Sequence, residues 1–294
     1  MLNHVPHANI EGILGITEWL RGQLPSSSSL YHLMRGVNGE EINEQERSKF
    51  HVYADAPFDP HIICAIRLKQ GEVSCCLHSD LESLSRGFCD DLARVLEKFA
   101  RESGLHICFM ALEARFLEEV KEGMARVGME YEWKEPAALY YLPPNVNVPS
   151  SSLLAEGYLV TQEITEDDLV TIDSTWKYRS AHSLDMIRKM VAAPNQPQVG
   201  VRESKGGKLV AWVMCYGDKS IGMMYTLPEH RSKGLGKAVA ARVVELYRCH
   251  FTEGSGDPYC YIVDGNEASL KVYEKGLGFK KVRDTYWSGF SFPK

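Results

Sequence analysis

The sequence predicts an α+β fold arranged in two halves, on the basis of three observations. Short apolar runs typical of strands alternate along the 294 residues with amphipathic helical patterns. The turns at Lys69-Gln70-Gly71 and Gly206-Gly207 each separate two such runs and predict antiparallel hairpins. The segment Leu142–Ser152 contains three prolines and clustered Ser and Asn, which oppose regular structure and indicate a linker. We therefore expect domains over 1–148 and 153–294, each a mixed, mostly antiparallel sheet flanked by helices.

The first half begins with an amphipathic helix through Ile13, Ile16 and Leu20, followed by a polar loop at Pro25–Ser29. Apolar residues spaced at i, i+4, i+7, i+8 and i+11 predict a longer helix from Phe88 to Phe99. The other predicted elements are strands at Ile62–Arg67, Glu72–His78, His106–Ala111 and Ala138–Leu142, and a helix through Phe116, Val120 and Met124. This half shows no catalytic motif.

The second half opens with a strand at Tyr158–Glu163, and Thr165 with Asp168 supplies capping residues for the helix that follows. A helix from about Leu235 has a buried stripe that includes Val239 and Val243. The other predicted elements are strands at Val199–Glu203, Leu209–Tyr216, Ile221–Leu227, Tyr259–Val263 and Thr285–Phe290, and helices at Ser183–Val191 and Glu267–Lys275.

Composition and charge narrow the classes of function. Hydrophobic residues make up 44% of the chain and charged residues 24%, and the formal net charge is −6, so no basic face of a nucleic-acid binder is predicted. No apolar run reaches the roughly 20 residues of a membrane span, and the first helix carries Glu11 and Glu18, unlike an arginine-rich targeting helix. We expect a cytoplasmic protein with no nucleic-acid or membrane partner; whether it is a monomer or a dimer stays open.

The eight cysteines form no C-x-x-C pair. Most lie within apolar runs such as Ile62-Ile63-Cys64. They are typical of small buried hydrophobic residues in a reducing compartment, and we expect no metal site.

The segment between the predicted strand Ile221–Leu227 and the helix from Leu235 favours phosphate binding. The unpaired N–H groups and the dipole of a helix N-terminus attract phosphate. Glycines let a pyrophosphate approach the backbone, and basic and hydroxyl side chains add hydrogen bonds. A P-loop or a dinucleotide fingerprint does not fit this spacing. The alternative is a solvated glycine-bearing turn. The residues concerned are Arg231, Ser232, Lys233, Gly234, Leu235, Gly236 and Lys237.

An apolar strand followed by R-x-x-G-x-G at a helix start resembles the acetyl-CoA signature of the GCN5-related N-acetyltransferase (GNAT) superfamily. The later segment Tyr259–Phe279 resembles that superfamily's strand–helix segment with an N-x-x-small-x-x-x-Y-x-x-x-G-F pattern. The resemblance implies that Asn266 contacts acyl-CoA and that Tyr273 protonates the departing thiolate. It implies two tandem GNAT-like domains, of which only the second has the cofactor motif.

A narrower resemblance, to the glycine N-acyltransferase-like family, rests on the Leu227-Pro228-Glu229-His230-Arg231 segment, on Trp176-Lys177-Tyr178 and on the two-half layout. It implies acyl transfer to a small amine such as glycine, and it also allows a mitochondrial location. The glutamate that serves as base in that family is replaced here by Ser220, which puts glycine as the acceptor in doubt.

The reaction needs a base, an oxyanion site and a proton for the leaving thiolate. Backbone N–H groups from Met224 onward, at Tyr225, Thr226 and Leu227, are the expected oxyanion and pantetheine donors. Tyr273 is the expected acid, although a core aromatic is the alternative.

For the base, Asp218 lies two residues before Ser220. Glu229 is expected to pair with Arg231, and His182 is a further candidate. A water chain is another alternative.

Trp176, Tyr178 and Arg179 either line an acceptor pocket or form an aromatic cluster with a surface arginine. We predict an N-acyltransferase for small amines that uses acetyl-CoA or another acyl-CoA. The alternatives are a protein or peptide N-acetyltransferase and a CoA-binding protein without catalysis.

Overall fold

The structure is a computed structural model that describes residues 2–7, 9–39, 43–56, 59–149, 154, 156–193, 196–205, 207–251 and 256–293. The chain forms two compact units. Unit 1 consists of Met1–Leu139 with Val282–Lys294, and unit 2 consists of Tyr140–Lys281. This division differs from the predicted ranges 1–148 and 153–294, because the last strand of the chain lies in the sheet of unit 1.

The sheet of unit 1 has the order β1-β2-β3-β4-β5-β12-β6. Its pairs are antiparallel from β1 to β4 and between β5 and β12, whereas β4 and β5 are parallel. The strands are β1 (Asn3–Val5), β2 (Phe50–Ala54), β3 (Ile62–Lys69), β4 (Glu72–Ser79), β5 (His106–Glu113), β6 (Glu130–Tyr141) and, from the end of the chain, β12 (Lys280–Ser291). The helices are α1 (Ile10–Gly22), α2 (Ser28–Asn38), α3 (Glu44–Arg47), α4 (Arg86–Ser103) and α5 (Leu117–Arg126).

The predicted hairpin of unit 1 is confirmed, with Lys69 opposite Glu72, and so is the long helix, α4. The predicted polar loop at Pro25–Ser29 is wrong at its second half, because Ser28 and Ser29 begin α2. Hydrogen bonds let these serines lie in the interior: the Ser28 hydroxyl donates to the Pro25 carbonyl at 2.7 Å. In addition, no strand was predicted between α1 and β3, where the structure has β2.

The sheet of unit 2 has the order β11-β10-β9-β8-β7, antiparallel except for the pair β10–β11. The strands are β7 (Tyr158–Thr161), β8 (Gln198–Glu203), β9 (Leu209–Cys215), β10 (Ile221–Thr226) and β11 (Tyr259–Val263). The helices are α6 (Glu166–Thr175), α7 (Ser183–Ala192), α8 (Leu235–His250) and α9 (Glu267–Leu270), which continues as a π-helix over Lys271–Leu277.

Helix α8 buries the predicted stripe, including Val239 and Val243, against β8, β9 and β10. The predicted capping residues of α6 form a capping box, with the Thr165 N–H donating to Asp168 at 2.7 Å. Residue 206 of the predicted hairpin turn and residues 150–152 of the predicted linker lie outside the described residues.

Seven of the eight cysteines are buried, and only Cys249 is exposed. None of the eight forms a disulfide, and the burial of seven agrees with their interpretation as small hydrophobic residues. Among the described residues no group of His, Cys, Asp and Glu could hold a metal ion, and no helix has the length and apolar character needed to cross a membrane.

Candidate functional site

In unit 2 the parallel strands β10 and β11 pair at one position and then separate. Ile221 lies opposite Cys260, and no further pair joins the two strands over residues 221–226 and 259–263, all of which the structure describes. The facing edge of β10 therefore has backbone groups without a partner on β11. A ligand lying in this gap could accept or donate the hydrogen bonds that the neighbouring strand would otherwise supply.

A bulge in β10 accounts for the separation. The register of β10 against β9 shifts between Gly222 and Tyr225, and Met223 has a φ of 49°. This left-handed conformation costs a residue other than glycine about 1–3 kcal/mol and occurs most often at functional sites. Bulges bend a strand and increase its twist, so β10 turns away from β11. No local sequence signal predicts this feature, because methionine at position 223 is compatible with an ordinary strand.

The predicted phosphate loop lies at the end of β10. A single 3₁₀ turn, Pro228–His230, is followed by Ser232 with φ 62° and by Gly234 with φ 78°, after which α8 begins. Left-handed residues within such a turn direct successive backbone N–H groups into one concavity that suits an anion. Gly234 provides no side-chain cap for α8. The first N–H groups of α8 therefore remain available to a phosphate.

The basic side chains of the loop are held by neighbouring groups. Arg231 donates from Nε to the Thr226 carbonyl at 3.1 Å, and its guanidinium lies 5.5 Å from the Tyr225 ring centroid. Lys233 donates to the hydroxyl of Tyr158 at 2.8 Å, and the same hydroxyl is 2.9 Å from Nδ1 of the buried His230. The loop thus keeps its cations at the start of α8. Sequence reasoning missed Tyr158 and His230, which lie outside the glycine motif.

Gly236, in the first turn of α8, faces Thr226. A Cβ atom added there would lie 3.6 Å from the Thr226 Oγ1 and 4.0 Å from the Val272 Cγ2, ordinary contact distances. Leu235 is buried, whereas Lys237 is exposed, and the Lys237 side chain passes beside Gly276. Of the predicted loop residues, the structure thus directs Leu235 into the core rather than toward a ligand.

Tyr273 lies where the two strands meet. Its side chain is 3% exposed and packs edge to face on Phe279 at 5.1 Å, and its hydroxyl has no hydrogen-bond partner among the described residues. Burial, together with the nearby Cys260 and Cys215 thiols, raises the pKa of Tyr273 well above its usual value. Both cysteines lie opposite Ile221. The hydroxyl therefore stays protonated and is available as a donor beside the paired end of the gap.

Asn266 has a structural role. It is the N-cap residue of α9, and its Oδ1 accepts a hydrogen bond from the Ser269 N–H at 3.1 Å. Only its amide nitrogen could then donate to a ligand. Leu227 is similarly engaged, because its N–H donates to the Val210 carbonyl at 2.9 Å. The expectation that this N–H donates to pantetheine is therefore wrong, since Leu227 continues the ladder with β9.

Ser220 and Asp218 form a buried pair in the turn between β9 and β10. The hydroxyl of Ser220 donates to Asp218 Oδ1 at 2.6 Å, and its N–H donates to the same oxygen at 3.1 Å. The two residues are 4% and 8% exposed. The carboxylate thus fixes the turn through two hydrogen bonds to Ser220. The expected pairing of Glu229 with Arg231 is wrong, because Glu229 pairs with Lys208 at 3.4 Å.

Trp176, Tyr178 and Arg179 form the aromatic cluster that was one of the two alternatives. The rings of Trp176 and Tyr178 are 5.7 Å apart, and Arg179 pairs with the buried carboxylate of Asp173 at 2.9 Å. His182 is exposed at the start of α7. The guanidinium of Arg179 is therefore already neutralised within the protein.

Residues 198–288 match the sequence model of a family described as FR47-like protein. This range runs from β8 to β12 and includes the candidate phosphate loop and Tyr273. No curated protein is similar to the chain at a significant level.

Solved structures resemble the chain over its whole length. A Drosophila protein is 16% identical, with 99% of this chain and 98% of that chain covered and a TM-score of 0.76. A GCN5-related N-acetyltransferase from Sphaerobacter thermophilus is 11% identical, with coverage of 99% and 95% and a TM-score of 0.64. A tandem GNAT protein from the clavulanic acid biosynthesis pathway is 12% identical, with coverage of 100% and 99% and a TM-score of 0.61. The predicted fold, two tandem GNAT-like domains, is confirmed.

Proposed function

We propose that the chain is an acyl-CoA-dependent N-acyltransferase that acylates a small-molecule amine. Within this class, the narrower proposal for the acceptor is glycine or another amino acid. The supporting observation is the hydroxyl of Tyr273, which is buried, has no hydrogen-bond partner among the described residues, and lies beside the position where Ile221 of β10 pairs with Cys260 of β11. An unsatisfied buried hydroxyl costs about 1–3 kcal/mol. A thiolate leaving at this point would give it a partner.

In the proposed reaction the pyrophosphate of acetyl-CoA or another acyl-CoA binds the loop from Arg231 to Lys237, and the pantetheine lies in the gap between β10 and β11. The amine nitrogen attacks the thioester carbonyl carbon, a C–N bond forms, and the C–S bond breaks. Tyr273 gives its proton to the sulfur and regains one from solvent. Backbone N–H groups of β10 near Met224 would hold the oxyanion.

The proposed proton acceptor is the pair formed by Ser220 and Asp218. A lone serine is too weak a base at neutral pH, but its hydroxyl already donates to the Asp218 carboxylate at 2.6 Å. An amine proton could pass to Ser220 Oγ as the serine proton passes to Asp218. This arrangement differs from a single glutamate base, and for that reason we do not restrict the acceptor to glycine.

The test is Tyr273→Phe, assayed as thiol release from acetyl-CoA across a panel of small amines. We expect kcat to fall about 10²-fold, the usual range of a lost general acid, with CoA affinity nearly unchanged. Tyr131→Phe is the matched control, since it removes another buried, unpartnered hydroxyl, in unit 1. Wild-type turnover in Tyr273→Phe would rule out the acid role.

One observation favours a second candidate, a CoA-binding protein without catalysis: the position of the expected glutamate holds Ser220. Tight CoA binding by the wild-type chain without acylation of any amine or peptide would establish that candidate. Acylation of basic peptides but not of free amines would instead indicate a protein N-acetyltransferase.

A further inference from the structure

One cation of the phosphate loop is held by a chain of hydrogen bonds that ends in the interior of unit 2. Lys233 Nζ donates to the hydroxyl of Tyr158 at 2.8 Å, and the same hydroxyl lies 2.9 Å from Nδ1 of His230. The Tyr158 ring also packs edge to face on the His230 ring at 5.8 Å. Because His230 is only 7% exposed, it fixes Tyr158, and Tyr158 in turn fixes the ammonium group of an otherwise exposed lysine.

The donors and acceptors of this chain can be assigned from one end. An ammonium group only donates, so the Tyr158 oxygen accepts from Lys233, and the Tyr158 proton can go to Nδ1 of His230. The ring proton of His230 then lies on Nε2, which faces the Glu203 carboxylate at 3.9 Å. Lys233 keeps two of its three N–H donors. The Tyr158 hydroxyl brings no negative charge to the ammonium, so this contact positions Lys233 without neutralising it.

The two cations on either side of Ser232 are held in different places. Arg231 Nε donates to the Thr226 carbonyl at the end of β10. Gly236 also faces Thr226, with Val272 next to it, so this side of the first turn of α8 adjoins the gap between β10 and β11. The partner of Lys233 lies instead on β7, at the opposite end of the strand order of unit 2 from β11. Lys233 is therefore held on the side of the loop away from the gap.

The order of groups in CoA connects this position with one of its phosphates. From the thiol, CoA consists of pantetheine, pyrophosphate and a ribose that carries a 3′-phosphate. With the pantetheine in the gap and the pyrophosphate at the start of α8, as in the proposed function, the ribose follows on the side away from the gap. A phosphate monoester carries about −1.5 to −2 charges at neutral pH. A fixed ammonium group with free donors suits it as a partner.

We infer that Lys233, positioned by Tyr158 and His230, recognises the 3′-phosphate of CoA. Arg231 and the first N–H groups of α8 hold the pyrophosphate. The loop thereby distinguishes CoA from 3′-dephospho-CoA, which has the same thiol arm and the same pyrophosphate. Tyr158 is a positioning residue, because it acts through Lys233. This inference rests on the proposed acyl-CoA site and adds to it the basis of its selectivity.

The test is calorimetric titration of the full chain with CoA and with 3′-dephospho-CoA. We expect the wild-type chain to bind CoA about tenfold more tightly. Lys233→Met removes the charge but keeps an unbranched side chain, and it should weaken CoA binding about tenfold while leaving 3′-dephospho-CoA binding unchanged. Arg231→Ala should weaken the binding of both ligands by the same factor, because both contain the pyrophosphate.

Tyr158→Phe tests the positioning role. It keeps the ring that packs on His230 and removes the hydroxyl that accepts from Lys233. We expect CoA binding to weaken about threefold, with 3′-dephospho-CoA binding unchanged. Combined with Lys233→Met it should cause no further loss, since contacting residues that act as one unit are not additive. A further loss in the double variant would show that Tyr158 only supports the structure.

A second lysine–tyrosine pair of unit 2 provides matched controls. Lys177 donates to the Tyr178 hydroxyl at 3.4 Å in the segment between α6 and α7. Lys177→Met and Tyr178→Phe make the same changes there, and both should leave the preference for CoA over 3′-dephospho-CoA unchanged.

Two results would overturn the assignment of the 3′-phosphate while leaving the acyl-CoA site intact. One is equal affinity of the wild-type chain for the two ligands. The other is an equal loss of both affinities in Lys233→Met. Binding of neither ligand by the wild-type chain would instead overturn the proposed acyl-CoA site, and this inference with it.

Discussion

The two units use the same backbone plan at their parallel strand pairs but differ in the helix that follows. In unit 2, β10 separates from β11 at the bulge that includes Met223. In unit 1, β4 and β5 pair only from Glu72 to Cys75 on β4, and β5 has a bulge at Ala111, whose φ is 51°. Each unit thus has a parallel pair that is open at one end.

The helices that follow the two strand pairs begin differently. In unit 2, α8 begins after Gly234, which provides no side-chain cap, and basic residues precede it. In unit 1, α4 begins after Ser85, whose hydroxyl accepts the Phe88 N–H at 3.2 Å. The loop before α4 carries Asp80 and Glu82.

A helix N-terminus attracts a phosphate only if its N–H groups are available and its surroundings are not acidic. The glycine cap of α8 meets both conditions, whereas the serine cap and the carboxylates before α4 oppose them. The same opening between strands therefore favours an anionic ligand at the helix start of unit 2 and disfavours one at the helix start of unit 1. The two units thus differ in the capping and local charge of the following helix, and not in the arrangement of their parallel strands.

The largest expected effect concerns a buried cluster of unit 1, in which Glu113 pairs with Arg115, Arg283 and His78. Glu113→Gln leaves the guanidinium groups of Arg115 and Arg283 without their carboxylate. Breaking a buried ion pair from one side typically costs about 3–5 kcal/mol. We expect a loss of this size in the free energy of unfolding, measured by urea denaturation. The exposed Glu82→Gln is the control, and a similar loss there would contradict the cluster's role.

The loss of stability caused by Glu113→Gln should depend on pH. Burial alone would raise the pKa of Glu113, but the hydrogen bond with His78 and the charges of Arg283 and Arg115 outweigh it and hold the pKa below its usual value. A lowered pKa contributes stability that is present above the unfolded-state pKa of 4.5 and is lost as the pH falls through the folded-state value. The stability difference between wild type and Glu113→Gln should therefore narrow below about pH 4.5. A difference that stays constant to lower pH would show that the lost carboxylate charge is not the cause.

The second largest expected effect is a loss of CoA affinity, and it tests the assignment of the phosphate loop in unit 2. Arg231→Ala/Gly236→Ala should weaken CoA binding more than tenfold, since it removes a cation and adds a methyl group where the backbone must approach the pyrophosphate. The added Cβ meets its nearest protein atom at 3.6 Å, so the fold should tolerate it.

Gly87 is the matched control for this variant, as the second residue of α4 just as Gly236 is the second of α8. A Cβ added at Gly87 meets no atom within 4 Å, and Gly87→Ala should leave CoA affinity unchanged. Calorimetry measures both affinities. Unchanged affinity in the double variant would disprove the phosphate-loop assignment.

The smallest effect concerns the cap of α4. Ser85→Ala removes the acceptor of the Phe88 N–H and should lower the free energy of unfolding by about 1 kcal/mol, measured by urea denaturation. The number of CoA molecules bound per chain should stay at one, because the acidic loop of unit 1 remains. A second equivalent of bound CoA in this variant would show that the cap alone excludes phosphate.

The sequence by itself determined most of the regular elements. The helices α4 and α8 follow from the spacing of residues such as Phe88, Leu92 and Val239, and the β3–β4 hairpin follows from its turn. These signals are local, since the periodicity of burial and the chemistry of turns and caps act within a few residues. The glycine loop before α8 is equally local, and the structure places it at a helix start as predicted.

Only the tertiary structure decided which groups meet. Arg283 reaches His78 across 205 positions of the chain, and β12 thereby completes a cluster of unit 1 that no local pattern indicates. The amide of Asn266 caps α9, and Ser220 gains a carboxylate partner in Asp218. The bulges at Met223 and Ala111 open both strand pairs. Each depends on contacts and backbone strain that the surrounding fold imposes, and residue type alone does not specify them.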